Sequence, residues 1–322
     1  MRMDETLFET KDFSVELHEN QRMMPVLSPV SIRVKKGGCT GIIGESGCGK
    51  SVFCRAALGL LEAPKWQVRG AAFLEGERLP VQEDEMMDRF RGERMTMIVQ
   101  NPLSAFDPRM TIKAHFLEGC PRRNRAGRYE EAIRQLSRMY IQDPERVLGS
   151  YPFQLSGGML QRVLIALCLQ SNPGFLVADE PTTALDSTVQ AEILKLLVEL
   201  RKERGISILL VSHDLEVISK MADSVYVMYA GQVVEQGTMD QVRKNPLHPY
   251  TQGLFRARPS FSKERLFTMP GRAPGLLELG KKGCPFAERC PVSGERCGKD
   301  LPKLRKAGME QRVRCWHQEE KL

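Results

Sequence analysis

Short apolar runs rich in β-branched residues alternate along the chain with stretches whose apolar residues recur every three or four positions. Thr40-Gly41-Ile42-Ile43 reads as a buried strand, and Val52 to Leu61, closed by Pro64, as a helix. Met95 to Val99 predicts a second strand ending at Gln100, and polar, helix-prone sequence continues to about Gln154. Helix 159–170, strand Phe175 to Ala178, helix 187–204, strand Ile206 to Val211, helix 214–222 and strand Ser224 to Met228 then follow in strict alternation. Such alternation implies an α/β fold with a mainly parallel sheet covered by helices. Beyond Tyr250 the periodicity fails: Pro259, Pro270, Pro274 and several glycines indicate a loop-rich appendage.

Composition adds two facts. Hydrophobic residues make up 42% and charged residues 27% of the 322, ordinary globular values that exclude collagen-like, disulfide-scaffold and wholly disordered chains. The net charge of +7 is unevenly placed: residues 256–322 hold 16 Lys and Arg against 8 Asp and Glu, whereas the remainder holds 31 against 32. A basic tail suggests nucleic acid, an anionic lipid surface or an acidic partner, against the plainer reading of a solvated surface. The apolar runs, such as Val163 to Leu169, fall far short of the ~20 residues of a membrane helix. The start, Met1 to Thr6, is charged, so a soluble cytosolic protein is expected. In that compartment nine cysteines are better read as core, reactive or metal-ligating groups than as disulfides. Cys39, Cys48, Cys54, Cys120 and Cys168 are scattered; Cys284, Cys290, Cys297 and Cys315 cluster in the tail.

Gly44-Glu45-Ser46-Gly47-Cys48-Gly49-Lys50-Ser51 has the Gly-x4-Gly-Lys-Ser spacing between a strand and a helix. Its glycines let backbone N–H groups turn inward around phosphate oxygens, and the helix N-terminus adds its positive dipole end. Lys50 is expected to reach the β- and γ-phosphates and the Ser51 hydroxyl to bind Mg²⁺. Phe175 to Glu180 is a buried strand ending in two acids; Asp179 is expected in the Mg²⁺ shell and Glu180 to polarise the attacking water. Cys48, inside the loop, predicts that alkylation blocks ATP hydrolysis and that ATP protects.

Leu155-Ser156-Gly157-Gly158-Met159 opens a helix about 20 residues before the Asp-Glu strand. At this segment the chain resembles the ATP-binding-cassette (ABC) ATPases, whose LSGGQ signature stands here as LSGGM. In the same resemblance, Gln100 is the Q-loop residue, also near Mg²⁺; Ala184-Leu185-Asp186 is the D-loop, and His213 the switch histidine. The resemblance covers about residues 7–255 and implies a nucleotide-binding domain over 1–255. Its helical subdomain would lie at about 101–158, with an oligopeptide-type extension over 256–322. It implies head-to-tail pairing, with each ATP between one subunit's phosphate loop and the other's signature turn, so that Ser156 and Gly158 act in trans. Glu180 would align water, His213 contact the γ-phosphate, and Gln100 relay closure through segment 101–154 to membrane subunits. The family's adenine-stacking aromatic has no clear counterpart here; Leu17, flanked by His18 with Phe13 upstream, occupies its place.

Tyr151-Pro152-Phe153-Gln154, Ser104-Ala105-Phe106-Asp107-Pro108 and Asn245-Pro246-Leu247-His248-Pro249-Tyr250-Thr251 resemble the peptide and nickel importer branch. Residues 153–162 look most like the nickel ATPases and the tail like the dipeptide and oligopeptide ones, which favours peptide. The branch implies a second, different ABC ATPase, two integral-membrane permeases and an extracytoplasmic solute-binding protein. It implies peripheral attachment at the cytoplasmic face and no nucleic acid. A soluble ABC ATPase acting on nucleic acid or ribosomes is the contrasting class; it commonly carries two cassettes or a long coiled-coil insertion, absent from this single-P-loop sequence. The tail's C-x5-C-x6-C-x17-C thiols suit Zn²⁺ or an iron–sulfur cluster, and lack the short pairs of structural zinc. The dipeptide-type resemblance implies a 4Fe–4S cluster, whose negative charge Arg289, Arg296 and Arg314 would offset.

Overall fold

The computed structural model describes residues 5–19, 21–118, 124–183, 185–257, 268–280 and 282–319. Cys120, Ala184 and Pro259 lie outside these. The chain forms two compact units, Met1–Met87 with Leu209–Leu322, and Asp88–Ile208. The first unit opens with β1 (Thr6–Glu19), β2 (Arg22–Val30), β3 (Arg33–Lys35), β4 (Cys39–Ile43), α1 (Lys50–Ala57), β5 (Trp66–Leu74), β6 (Glu77–Arg78) and α2 (Asp84–Met87). The second holds β7 (Met95–Ile98), α3 (Ile112–Leu117), α4 (Arg125–Arg138), α5 (Pro144–Gly149), α6 (Gly157–Cys168), β8 (Phe175–Asp179) and α7 (Ser187–Arg204). Strand β9 (Ser207–Ser212) carries the chain back into the first unit. There α8 (Leu215–Met221), β10 (Ser224–Tyr229), β11 (Gln232–Thr238), α9 (Met239–Lys244) and α10 (Pro249–Arg256) follow. The tail adds α11 (Glu295–Lys299), β12 (Arg305–Lys306), β13 (Arg312–Val313) and α12 (Trp316–Glu319).

The sheets are mixed, which corrects the expected mainly parallel arrangement. In the first unit β1 pairs antiparallel with β2, β3 and β5, in the order β2-β1-β5-β6. Along β1 the residues Phe13, Val15 and Leu17 are buried at period two, as a strand with one core-facing side requires. The β5–β6 connection places Glu75 (φ 52°) and Gly76 (φ 80°) in the left-handed region, the two-residue turn whose twist matches its strands. The unit's second sheet runs β12-β13-β11-β10-β4, and of these only β10 and β4 are parallel. β4 is buried throughout, and its one polar side chain, Thr40, is satisfied there by the Arg33 carbonyl and the Ser224 hydroxyl.

In the second unit β7 and β8 run parallel, with Met95 opposite Phe175 and Ile98 opposite Ala178. Helix α7 has the span 187–204 expected from its period. Its Asp186 carboxylate accepts the N–H groups of Thr188 and Val189, and Gly205 (φ 65°) ends it in the left-handed conformation. The polar stretch after Gln100 forms α3, α4 and α5, amphipathic helices whose buried faces include Phe116, Leu136 and Leu148. Among the described residues, no helix is long and apolar enough to cross a membrane.

The tail is anchored on the first unit. Phe286 is fully buried, with its ring 5.2 Å from Tyr229 and 5.5 Å from Tyr250. Strand β13 joins β11, so a segment with little core of its own shares that of the main body.

Candidate functional site

The phosphate loop lies between β4 and α1. Gly47 (φ 80°) and Gly49 (φ 102°) take left-handed conformations, and a Cβ at Gly49 would come within 2.6 Å of the Leu27 side chain. Lys50 is buried, and its Nζ donates to the carbonyls of Gly44 at 2.8 Å and Glu45 at 3.0 Å. The ammonium is thus drawn into the curl of the loop. The tight turn between β10 and β11 supports the loop from outside, with the Gly231 N–H donating to the Cys48 carbonyl. Ser51 follows Lys50 as the second residue of α1, at the loop's exit. Cys48 is 5% exposed, with its sulfur 3.8 Å from Lys50 Nζ; burial raises its pKa despite that cation. A thiol so placed reacts slowly, which qualifies the expectation of ready alkylation.

Glu45 is held through both its backbone and its side chain. Its N–H donates to the Tyr250 hydroxyl at 2.8 Å, and its carboxylate accepts both terminal nitrogens of Arg289 at 2.8 and 2.9 Å. Arg289 also donates to Pro270 O and the Tyr229 hydroxyl, and its side chain is only 7% exposed. The bidentate pair holds Arg289 firmly in its charged form, with a pKa above the ordinary value. Nothing in the spacing signalled this partnership, and the tail arginines Arg289, Arg296 and Arg314 each have a partner outside the cysteines. Arg289 neutralises Glu45, Arg296 stacks on Trp316, and Arg314 donates to the carbonyls of Val233 and Pro302.

In the second unit the parallel pairing of β7 and β8 brings Gln100 and Glu180 together, each two residues past a paired position. Gln100 Nε2 donates to Glu180 Oε2 at 3.0 Å, and the Thr183 hydroxyl donates to the same oxygen at 2.9 Å. Asp179, the last residue of β8, and Glu180 are both buried. Glu180 takes φ 48°, a left-handed conformation that a non-glycine residue holds only where its surroundings impose it. Thr183 was missed in the sequence, although its position three residues after Glu180 is a turn spacing.

The signature segment caps α6. Ser156 Oγ accepts the Met159 N–H at 3.3 Å, while Leu155 precedes the cap. A Cβ at Gly158 would meet Val189 of α7 at 2.9 Å, so glycine there permits the close packing of the two helix starts. Ser156, Gly157, Gly158 and Met159 line a cavity of about 750 Å³ together with Asp186 and Arg162. His213 directly follows β9 in the first unit, and Asp214 beside it caps α8. Phe13 packs edge-on against Phe53 in the core, which removes it as an adenine platform; Leu17 is also buried.

All four tail cysteines line one small cavity with Phe286 and Trp316. Burial pushes the Cys284 thiol up to about 11 and raises Cys290 and Cys315. Among the described residues, no three or more Cys, His, Asp or Glu side chains converge as metal ligands. The expectation of a metal held by Cys284, Cys290, Cys297 and Cys315 is corrected to this extent: the sulfurs share a cavity without ligating geometry.

A Gly-rich loop between a strand and a helix, curled around a lysine, is the phosphate-binding arrangement of P-loop proteins. The ABC transporter family profile matches residues 27–183, and that of the oligopeptide/dipeptide transporter C-terminal region matches 234–297. The chain is 38% identical over 321 residues to the oligopeptide transport ATP-binding protein OppD of Haemophilus influenzae, covering 98% of both chains. It is 39% identical over 303 residues to the probable D,D-dipeptide transport ATP-binding protein DdpD of Escherichia coli, covering 92% of each. Among solved structures, the dimeric structure of a bacterial ABC transporter cassette is similar with TM-score 0.63 at 25% identity, over 72% of this chain and 99% of that one. The chain therefore belongs to the ATP-binding proteins of the ABC transporter family, those with the oligopeptide/dipeptide C-terminal region.

Proposed function

We propose that this chain is the ATP-hydrolysing subunit that energises a binding-protein-dependent importer of di- and oligopeptides. The observation that carries the peptide assignment is similarity along the whole chain, tail included, to proteins described as oligopeptide and dipeptide transport ATP-binding proteins. The site residues take roles consistent with their chemistry. Backbone N–H groups of Gly44 to Ser51 and the Lys50 ammonium hold the ATP phosphates, and Ser51, Gln100 and Asp179 serve Mg²⁺. Glu180, oriented by Gln100 and Thr183, polarises the attacking water, and His213 contacts the γ-phosphate. The cavity at Ser156 and Gly158, with Asp186 at its edge, receives the second subunit's nucleotide, so the assembly is a dimer of cassettes. That second cassette is a different ABC ATPase, and the pair sits at the cytoplasmic face under two permeases fed by an extracytoplasmic binding protein. The domains are 1–255 for nucleotide and 256–322 for the extension.

The finer reading of a 4Fe–4S cluster, with Zn²⁺ as its alternative, rests on the donor set alone, four thiols on one cavity. Iron, sulfide and zinc analysis of anaerobically purified protein decides between them, and no step of hydrolysis passes through the cysteines.

The transport reading is tested by reconstituting the chain with its permeases, partner ATPase and binding protein in vesicles. Peptide-loaded binding protein is expected to stimulate ATP hydrolysis and drive peptide uptake. Stimulation by a nickel chelate with no response to peptide reassigns the solute; stimulation by RNA without membrane recruitment overturns the importer reading.

A further inference from the structure

We propose that Arg289 is a positioning residue for the phosphate loop, through which the cysteine-bearing tail sets the affinity of this ATPase for ATP. The inference rests on the reading of residues 44–51 as the ATP phosphate loop. The contact joins residues 244 positions apart: the guanidinium fork meets both carboxylate oxygens of Glu45, the second residue of the loop. It is a built contact. The Arg289 side chain is 7% exposed, and all three of its nitrogens donate, to Glu45, Tyr229 and Pro270. Its backbone is fixed by a single turn, Ala287–Arg289, that Phe286 nails into the Tyr229–Tyr250 pair and that Cys284 and Cys290 flank.

Two physical consequences follow at the loop. With its side chain held by Arg289 and its N–H by Tyr250, Glu45 has its remaining backbone group, the carbonyl, aimed at Lys50 Nζ. The tail thereby helps to fix the cation that meets the triphosphate. The second consequence is electrostatic. A carboxylate on the loop opposes the approach of a polyanion, and the bidentate guanidinium cancels that charge in a largely dehydrated setting, where it is poorly screened. Removing Arg289 leaves Glu45 both mobile and uncompensated beside the phosphates.

The test measures binding of a fluorescent ATP analogue, and KM and kcat for ATP, on the full chain within its assembled transporter. Arg289→Gln is expected to weaken nucleotide binding roughly tenfold and to raise KM in step. Its kcat at saturating ATP should stay within about twofold, because the contact does not touch the reacting atoms. Arg289→Lys, which keeps the charge and loses the fork, should weaken binding less. The double variant Glu45→Gln/Arg289→Gln should bind more tightly than Arg289→Gln alone, since the uncompensated charge is gone. Unchanged nucleotide affinity in Arg289→Gln, with only a lowered melting temperature, overturns the proposal and leaves a structural contact. A double variant that binds as weakly as Arg289→Gln overturns the charge argument. Lys50→Ala separates the two levels: if it loses ATP while Arg289→Gln keeps it, the inference alone fails. If Lys50→Ala keeps ATP affinity, the phosphate-loop reading fails with it.

Discussion

His248 is buried at the start of α10, where its Nδ1 accepts the Tyr250 N–H at 3.0 Å and its backbone N–H donates to the Glu235 carboxylate at 2.8 Å. Burial, aided by the positive charge of Arg314, pushes its pKa down from 6.5 to about 3. The imidazole is therefore neutral in the folded chain throughout the range in which the unfolded chain protonates it. Between 6.5 and 3 the unfolded state binds the extra proton, so stability falls as pH falls, by up to about 1.4 kcal/mol for each unit below 6.5. At about pH 5.5 the loss is about 1.4 kcal/mol, which corresponds to a drop of about 3–6 °C in Tm for a unit of this size. Burial raises the pKa of Glu235 and so works in the opposite direction above its ordinary carboxylate value, but that group is present in both proteins of the comparison. His248→Asn keeps a helix-capping acceptor and removes the titration. Urea unfolding at a series of pH values from 7.5 to about 5.5, for both proteins, should show the wild-type curve falling away from that of His248→Asn by the amount above. Parallel curves over that interval would refute the account.

Three further outcomes follow from the site and the core. Glu180→Gln should lower ATP turnover by about 10²–10⁴-fold while nucleotide binding persists, as measured in the assembled transporter; unchanged turnover removes Glu180 from the role of polarising water. Cys48, buried and raised in pKa, should react with iodoacetamide far more slowly than an exposed thiol, and more slowly still with ATP; peptide mass spectrometry follows the rate, and labelling as fast as free cysteine contradicts its burial. Phe286→Ala should cost about 3–5 kcal/mol in urea unfolding, because it leaves a cavity beside the Tyr229–Tyr250 pair and loosens the turn carrying Arg289; a loss near zero would mean that the tail does not share that core.

Much of the fold was legible where the chemistry is local. Helix α7 begins at the residue after Asp186 and ends before Gly205, because a capping carboxylate and a left-handed glycine act within a few positions of the backbone they terminate. The strand ending at Asp179 was legible for the same reason: a four-residue apolar run, Phe175 to Ala178, buried on both faces has little alternative. The first eighty residues were less so. Their antiparallel sheet depends on which strand pairs with which across turns such as Glu75-Gly76, and the alternation of strands and helices downstream gave no hint of it. At the site, the sequence singled out Gln100, Asp179, Glu180 and the signature segment as candidates, but not Thr183, the second donor to Glu180. The tail cysteines show the limit from the other side: their number and spacing brought them into one cavity without fixing where each sulfur points.

The loop that curls around Lys50, the acids at the end of β8, the serine that caps α6 and the membership of the family can all be read along the chain, since each depends on contiguous residues and on backbone chemistry that acts over a turn or less. Folding is what lets Gln100 and Glu180 share a hydrogen bond, keeps His248 neutral, and brings Arg289 of the tail onto Glu45 of the phosphate loop. These pairs lie 80 and 244 residues apart or depend on burial, and both distance and desolvation are properties of the packed chain.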